Sequence, residues 1–160
     1  KILNFVASGG SYLGICAGGY YGAAHIIFEK GHPENEIITN RTLGFYKGIA
    51  EGPAYGLGVF RYQSEAGARI ASIMSNDNET PFPAYFNGGC YFYTDEPNDK
   101  AAIIARYADI EQQPAAIILS RYEQGRVCLS GVHFEYALND DYQSSRDNFV
   151  KRLLLQMQES

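Results

Sequence analysis

Gly9-Gly10-Ser11-Tyr12-Leu13-Gly14-Ile15-Cys16-Ala17-Gly18-Gly19 is the stretch on which the fold turns. A short apolar run, 11–15, reads as a strand; it ends on a thiol set between glycines, and residues 20–28 read as the helix that follows. Flanking glycines let a backbone reverse within a few atoms, so a side chain at the turn stands above the sheet edge. In such a nucleophile elbow the next amide, that of Ala17, points at the reacting carbonyl as an oxyanion donor. The N-terminal dipole of the following helix favours a thiolate at Cys16. The competing reading makes Cys16 a small buried residue and the glycines mere allowances for close helix-sheet packing.

Working outward, residues 1–10 read as the end of an amphipathic helix stopped by glycine, and the opening at Lys1 suggests an upstream segment. Residues 30–58 carry Gly, Pro, Asn and Thr at short intervals, with Gly52-Pro53 the strongest breaker, and read as loops and short pieces. Short β-like runs follow at 59–63, 68–74 and 84–86, where antiparallel pairing is expected. Runs at 103–107 and 115–120 read as strands, the second forming a hairpin with 127–130 across Tyr122-Glu123-Gln124-Gly125-Arg126. Ser144 to Asp147 read as the N-cap region of a final amphipathic helix that carries Phe149, Val150, Leu153, Leu154 and Met157. Strands mixed with helices predict an α/β sandwich.

A second motif gives Cys16 its chemistry. Leu129-Ser130-Gly131-Val132-His133-Phe134-Glu135 ends a predicted strand with His and Glu two positions apart, a spacing that lets both side chains face one way. A thiol nucleophile needs a base, and the imidazole needs an acceptor to fix its tautomer. Cys16, His133 and Glu135 therefore fit nucleophile, base and orienter. The same three residues could instead bind zinc, but an elbow is not a ligand pair, and no metal or other cofactor is expected. His25, on the predicted helix, and His32, in a turn before Pro33, have no neighbour at ligand spacing. Cys90 and Cys128, flanked by Tyr91-Phe92 and by Val127 and Leu129, read as packing residues.

Composition narrows the classes. At 160 residues, 46% hydrophobic and 19% charged, the chain is expected to be one domain with a real core. A net charge of -5 gives it no basic field for nucleic acid. No apolar run approaches the roughly 18 residues of a membrane span, so no membrane partner is expected. Three scattered cysteines suit neither a disulfide framework nor a zinc site, and read as thiols in a reducing, cytoplasmic setting.

The cysteine segment, Gly52-Pro53, Tyr85-Phe86-Asn87-Gly88-Gly89 and Ser130 to Tyr136, in that order, resemble class I glutamine amidotransferase-like proteins. The resemblance is strongest to the group named for the N-terminal domain of biotin-protein ligase, and it covers most of residues 1–138. It implies a flavodoxin-like three-layer sandwich with a mostly parallel sheet and an antiparallel strand insertion, residues 1–160 forming a single partial domain. It also implies a Cys-His-Glu triad at Cys16, His133 and Glu135, acting on a small-molecule amide or acyl substrate through a thioester. Asn87, Gly88 and Gly89 could place amides near Cys16 as substrate-binding groups, although a glycine bend between strands is the competing reading. Phe134 stands where such families usually carry proline. Only fifteen residues precede Cys16, so the second oxyanion donor is unassigned, the N-terminal part of the domain is expected to be missing, and an open or otherwise filled sheet edge is expected beside 11–15. The alternative function is a non-catalytic regulatory or interaction domain, as precedes a biotin ligase, with a partner domain or the missing segment as its neighbour.

Overall fold

The computed structural model describes residues 1–77, 80–94, 101–136, 138 and 141–158. Alternation of buried and exposed positions first sorts the chain into strands. In order these are β1 (Ser11–Ile15), β2 (Ala23–Phe28), β3 (Ile37–Asn40), β4 (Tyr46–Gly52), β5 (Arg69–Ser75), β6 (Phe82–Phe86), β7 (Tyr91–Tyr93), β8 (Ala102–Tyr107), β9 (Ala115–Tyr122) and β10 (Gly125–Ser130). The helices are α1 (Ile2–Ala7), α2 (Ala17–Gly22) and α3 (Gln143–Gln156).

The strands form one sheet in the order β3-β2-β4-β7-β9-β8-β5-β6, and β10 joins β9 to β1. The α/β class stands as expected, but the sheet is mostly antiparallel rather than mostly parallel. Among the described residues only β1–β10 and β2–β4 pair in parallel. Parallel neighbours need a crossover of a dozen residues or more, and this chain mostly returns through short turns, as at Glu123-Gln124 between β9 and β10.

Both faces of the central strands are covered. On β10, Val127 and Leu129 belong to a cluster with Val6 of α1 and Tyr20 of α2, whereas Cys128 points into a second cluster with Phe149, Leu153 and Met157 of α3. Helices therefore flank the sheet on two sides. No helix among the described residues is long and apolar enough to cross a membrane.

Several local expectations change. The helix after Cys16 stops at Gly22, and residues 23–28 are strand. Three glycines weaken a six-residue helix, while Ile26 and Phe28 bury one face of β2, so tertiary burial decides against helix propagation. His25 accordingly lies on β2, with its Nδ1 2.8 Å from Asn40 Oδ1. Residues 30–58, expected as loops and short pieces, contain the four-residue β3 and the full strand β4, the latter ending at Gly52 beside the expected breaker. Residues 59–63 form no strand; they belong to a loop whose Gly56 and Gly58 take positive φ. Helix α3 starts at Gln143, ahead of the expected cap, with Tyr142 at the N-cap and no side-chain cap. Leu154 is 44% exposed, so the buried stripe is Phe149, Leu153 and Met157.

The edge expected to be open is open: among the described residues β1 pairs with β10 alone. Leu13, mid-strand, is 39% exposed.

Candidate functional site

The parallel pairing of β1 with β10 builds the site. Ile15 lies opposite Ser130, so both strands finish at one end of the sheet, and Cys16 and the segment 131–135 emerge side by side although far apart in sequence. Cys16 sits at φ 52°, ψ -109°, a conformation that costs a non-glycine residue on the order of 1–3 kcal/mol and needs surrounding structure to hold it. That hold is visible. Cys16 N–H donates to Ser130 O at 2.8 Å, and Gly19 N–H donates to Cys16 O at 2.9 Å. A Cβ on Gly14 would collide with the carbonyl of Gly18, so the turn closes only because residue 14 has no side chain.

On the other arm, Val132 and Phe134 are fully buried, with Phe134 packed on Phe149 of α3. Alternation then turns His133 and Glu135 outward together. His133 N–H donates to Tyr85 O at 2.8 Å, and the Tyr85 ring meets the imidazole edge-on with centroids 5.6 Å apart. Imidazole Nδ1 lies 2.7 Å from Glu135 Oε1; a carboxylate only accepts, so Nδ1–H donates. Interaction with Cys16, then with Glu135, pushes His133 up to about 9 against an opposing effect of burial. Sulfur, imidazole and carboxylate thus stand in one line, with the 2.7 Å hydrogen bond at its outer end. Glu135 is 47% exposed, so the line ends in solvent.

Asn87-Gly88-Gly89 lies beside the thiol, with a polarity opposite to that expected. Its carbonyls face inward: Asn87 O is 3.6 Å from Cys16 Sγ, Gly88 O accepts from Tyr20 Oη at 3.0 Å, and Gly89 O accepts from Ala54 N–H at 2.9 Å. The Asn87 side chain donates from Nδ2 to Ser64 O at 3.2 Å, and its Oδ1 is buried with no hydrogen-bond partner among the described residues. A positive φ at Gly88 of 75° makes the bend. Ala17 N–H, at the first position of α2, has no acceptor within the helix by helix geometry, which leaves it available at the turn. Six residues give α2 only a small dipole, so charge stabilisation at the sulfur falls chiefly on His133.

The remaining candidates sit apart. Cys90 and Cys128 are buried, as expected of packing thiols; burial pushes Cys128 up to about 12 and Cys90 well up also. His32 Nδ1 accepts from the amides of Glu34 and Asn35 at 3.2 Å each, closing a turn. Among the described residues no group of three His, Cys, Asp or Glu side chains is arranged to hold a metal ion.

Two residues behind the site have no role in the sequence reading: Arg146 stands there only in the cap region of the final helix, and Glu29 is not singled out. Arg146 is instead 2% exposed, donating to Leu138 O at 3.0 Å and to Pro83 O at 3.4 Å, and so ties α3 to the segment after Glu135. Glu29 is 1% exposed.

Residues 1–160 match the family described as "Biotin-protein ligase, N terminal". A Chlamydia muridarum protein described as uncharacterized is 45% identical over 137 residues, which is 85% of this chain and 52% of that protein. A biotin–protein ligase of Schizosaccharomyces pombe is 38% identical over 141 residues, 86% of this chain and 22% of the ligase. The chain thus spans about half of the first relative and about a fifth of the second. Among solved structures, a glutamine amidotransferase superposes with a TM-score of 0.57 at 20% identity, covering 98% of this chain and 66% of that one. A cold-adapted β-galactosidase from Rahnella sp. R3 gives 0.54 at 17% identity, covering 98% of this chain and 20% of that one. At such identities these likenesses speak to the fold alone.

Proposed function

The chain belongs to the biotin-protein ligase N-terminal family, and on that footing we propose that it is a cysteine-dependent amidohydrolase or amidotransferase-like domain acting through Cys16, His133 and Glu135. The observation that carries the reading is that Cys16 and Glu135 together raise His133, which bonds Glu135 at 2.7 Å, beside a cysteine held at a strained positive φ. Strain of this kind persists where function uses it.

The chemistry follows from the geometry. His133 takes the proton of the Cys16 thiol, and Glu135 stabilises the resulting imidazolium through Nδ1–H. The sulfur attacks the acyl carbon of an amide; the carbonyl electrons move onto oxygen, facing Ala17 N–H. Collapse breaks the C–N bond as His133 returns its proton to the departing amine, leaving a thioester on Cys16. Water, deprotonated by His133, then releases the acid and restores the thiol. An amine in place of water would give transfer. Asn87 lies close enough to touch a bound substrate, with its carbonyl as the group presented. Glutamine is the first substrate to test, because a structural relative is a glutamine amidotransferase.

Ammonia release from glutamine and a panel of small amides and esters, measured on the full-length protein, tests this. Wild type should turn over at least one substrate, and Cys16→Ser and His133→Gln should each lower kcat/KM by about a hundredfold or more. A mild thiol electrophile at neutral pH should label Cys16 well ahead of Cys90 and Cys128. Equal turnover by wild type and Cys16→Ser, or equal labelling of the three thiols, would overturn the reading. The similarity to a fifth of a biotin–protein ligase supports a second role, as a regulatory or interaction domain of a longer protein. Absence of any turnover by the full-length protein would favour that role.

A further inference from the structure

Outside the line of Cys16, His133 and Glu135, one buried acid has no use in the chemistry above. Glu29 directly follows β2 at φ 50°, with 1% of its surface exposed. Its Oε2 accepts from Gly58 N–H at 2.8 Å, while its Oε1 is buried with no hydrogen-bond partner among the described residues. An orphaned buried polar atom costs at least as much as one hydrogen bond returns. Holding Gly58 therefore does not repay the burial by itself.

What Gly58 belongs to gives the bond its importance. It lies in the loop 53–68, and the loop reaches the thiol through two contacts. The Phe60 ring, packed edge-on to Phe28 at 5.5 Å, lies against Gly88 so closely that a Cβ there would strike it. Ser64 O accepts from Asn87 Nδ2 at 3.2 Å. The peptide so held is the one whose carbonyl, Asn87 O, stands 3.6 Å from Cys16 Sγ. A carbonyl oxygen there accepts from the S–H, opposes negative charge on the sulfur, and covers one side of it.

We propose that Glu29 is a positioning residue for the Cys16 site: through Gly58 it fixes the loop 53–68, and through Phe60 and Ser64 the loop sets where the Asn87 carbonyl stands against the sulfur. The proposal deepens the amidohydrolase reading and rests on it for its catalytic consequence, though its effect on the thiol does not. Releasing the loop lets the Asn87 carbonyl drift, so a small electrophile reaches the sulfur more easily while an amide substrate finds one wall of its site misplaced.

The test uses the full-length protein with Glu29→Gln, which keeps both the size and an acceptor for Gly58 N–H, and Glu29→Leu, which keeps bulk and loses the acceptor. Iodoacetamide labelling of Cys16 is followed by mass spectrometry from pH 5.5 to 9, beside kcat and KM for any amide that wild type turns over, all normalised to folded fraction. Glu29→Leu should label threefold or more faster near neutral pH, with its pH profile displaced, and should lose tenfold or more in kcat. Glu29→Gln should stay within about twofold of wild type in both. If Glu29→Leu fails to fold, Phe60→Ala breaks the same linkage one step on and should show the same faster labelling. Wild-type labelling in the folded Glu29→Leu or Phe60→Ala protein overturns the proposal, as does equal damage in Glu29→Gln and Glu29→Leu. Changed labelling in a protein without amide turnover would sink the enzyme reading alone. Turnover by wild type with unchanged labelling in the variants would sink this one alone.

Discussion

Cys16 sits at a backbone conformation that glycine adopts without penalty, and the price of keeping a thiol there is stability. Cys16→Gly should therefore raise the free energy of unfolding by up to about 1 kcal/mol, read by urea denaturation, while abolishing any turnover. Its partner has a pH signature. The unfolded imidazole titrates near 6.5, and contacts with Cys16 and Glu135 push His133 up to about 9 in the folded protein. The folded state thus holds the proton more tightly, so this stabilisation is complete below pH 6.5 and is lost as pH rises through 9. The gap in urea midpoint between wild type and His133→Gln should be widest near pH 6 and shrink steadily towards pH 9.5. At this scale the sequence was informative. Gly14, Cys16, Gly18 and His133-Phe134-Glu135 carry their geometry in residue type and spacing alone. Glu29 and Arg146 do not, because a charged side chain becomes buried only through partners supplied by distant elements.

At the scale of elements, the segment 131–135 is only as well placed as its apolar anchors. Phe134 packs on Phe149 and is joined there by Phe82, at a ring distance of 5.1 Å from Phe149. Phe149→Ala should cost about 3–5 kcal/mol, seen in urea unfolding, and should slow Cys16-dependent turnover beyond the loss in folded fraction, since the turn bearing His133 loses its floor. The C-terminal helix and the β9–β10 hairpin were legible because each carries its signal locally, in a 3.6-residue stripe and in a turn between apolar runs. Strand β2 was not. Its residues Ala23, Ala24 and His25 carry no strand preference of their own, and what makes them strand is the parallel fit against β4 and the antiparallel fit against β3. Residues 59–63 erred in the other direction, being β-like in composition but without a partner, and Gly58 instead donates to Glu29.

For the molecule as a whole, the sheet's direction was the least legible property. Resemblance to a parallel fold implied parallel pairing, yet direction is set by how each connection returns, and most here are too short to cross over. The exposed edge of β1 is the other global feature, with Leu13 in mid-strand and Phe5 of α1 exposed as well. Unpaired strand edges recruit other strands. Leu13→Lys should reduce concentration-dependent association of this 160-residue chain in light scattering and leave its far-UV circular dichroism unchanged. An unaltered association profile would locate the sticky surface elsewhere. The union of β1 with β10 also has a temporal consequence. Cys16 and His133 lie more than a hundred residues apart, so no nascent chain that stops short of residue 133 carries both. Closing so distant a pair is also among the slower steps of folding. A product cut short ahead of residue 133 leaves the thiol without that imidazole beside it.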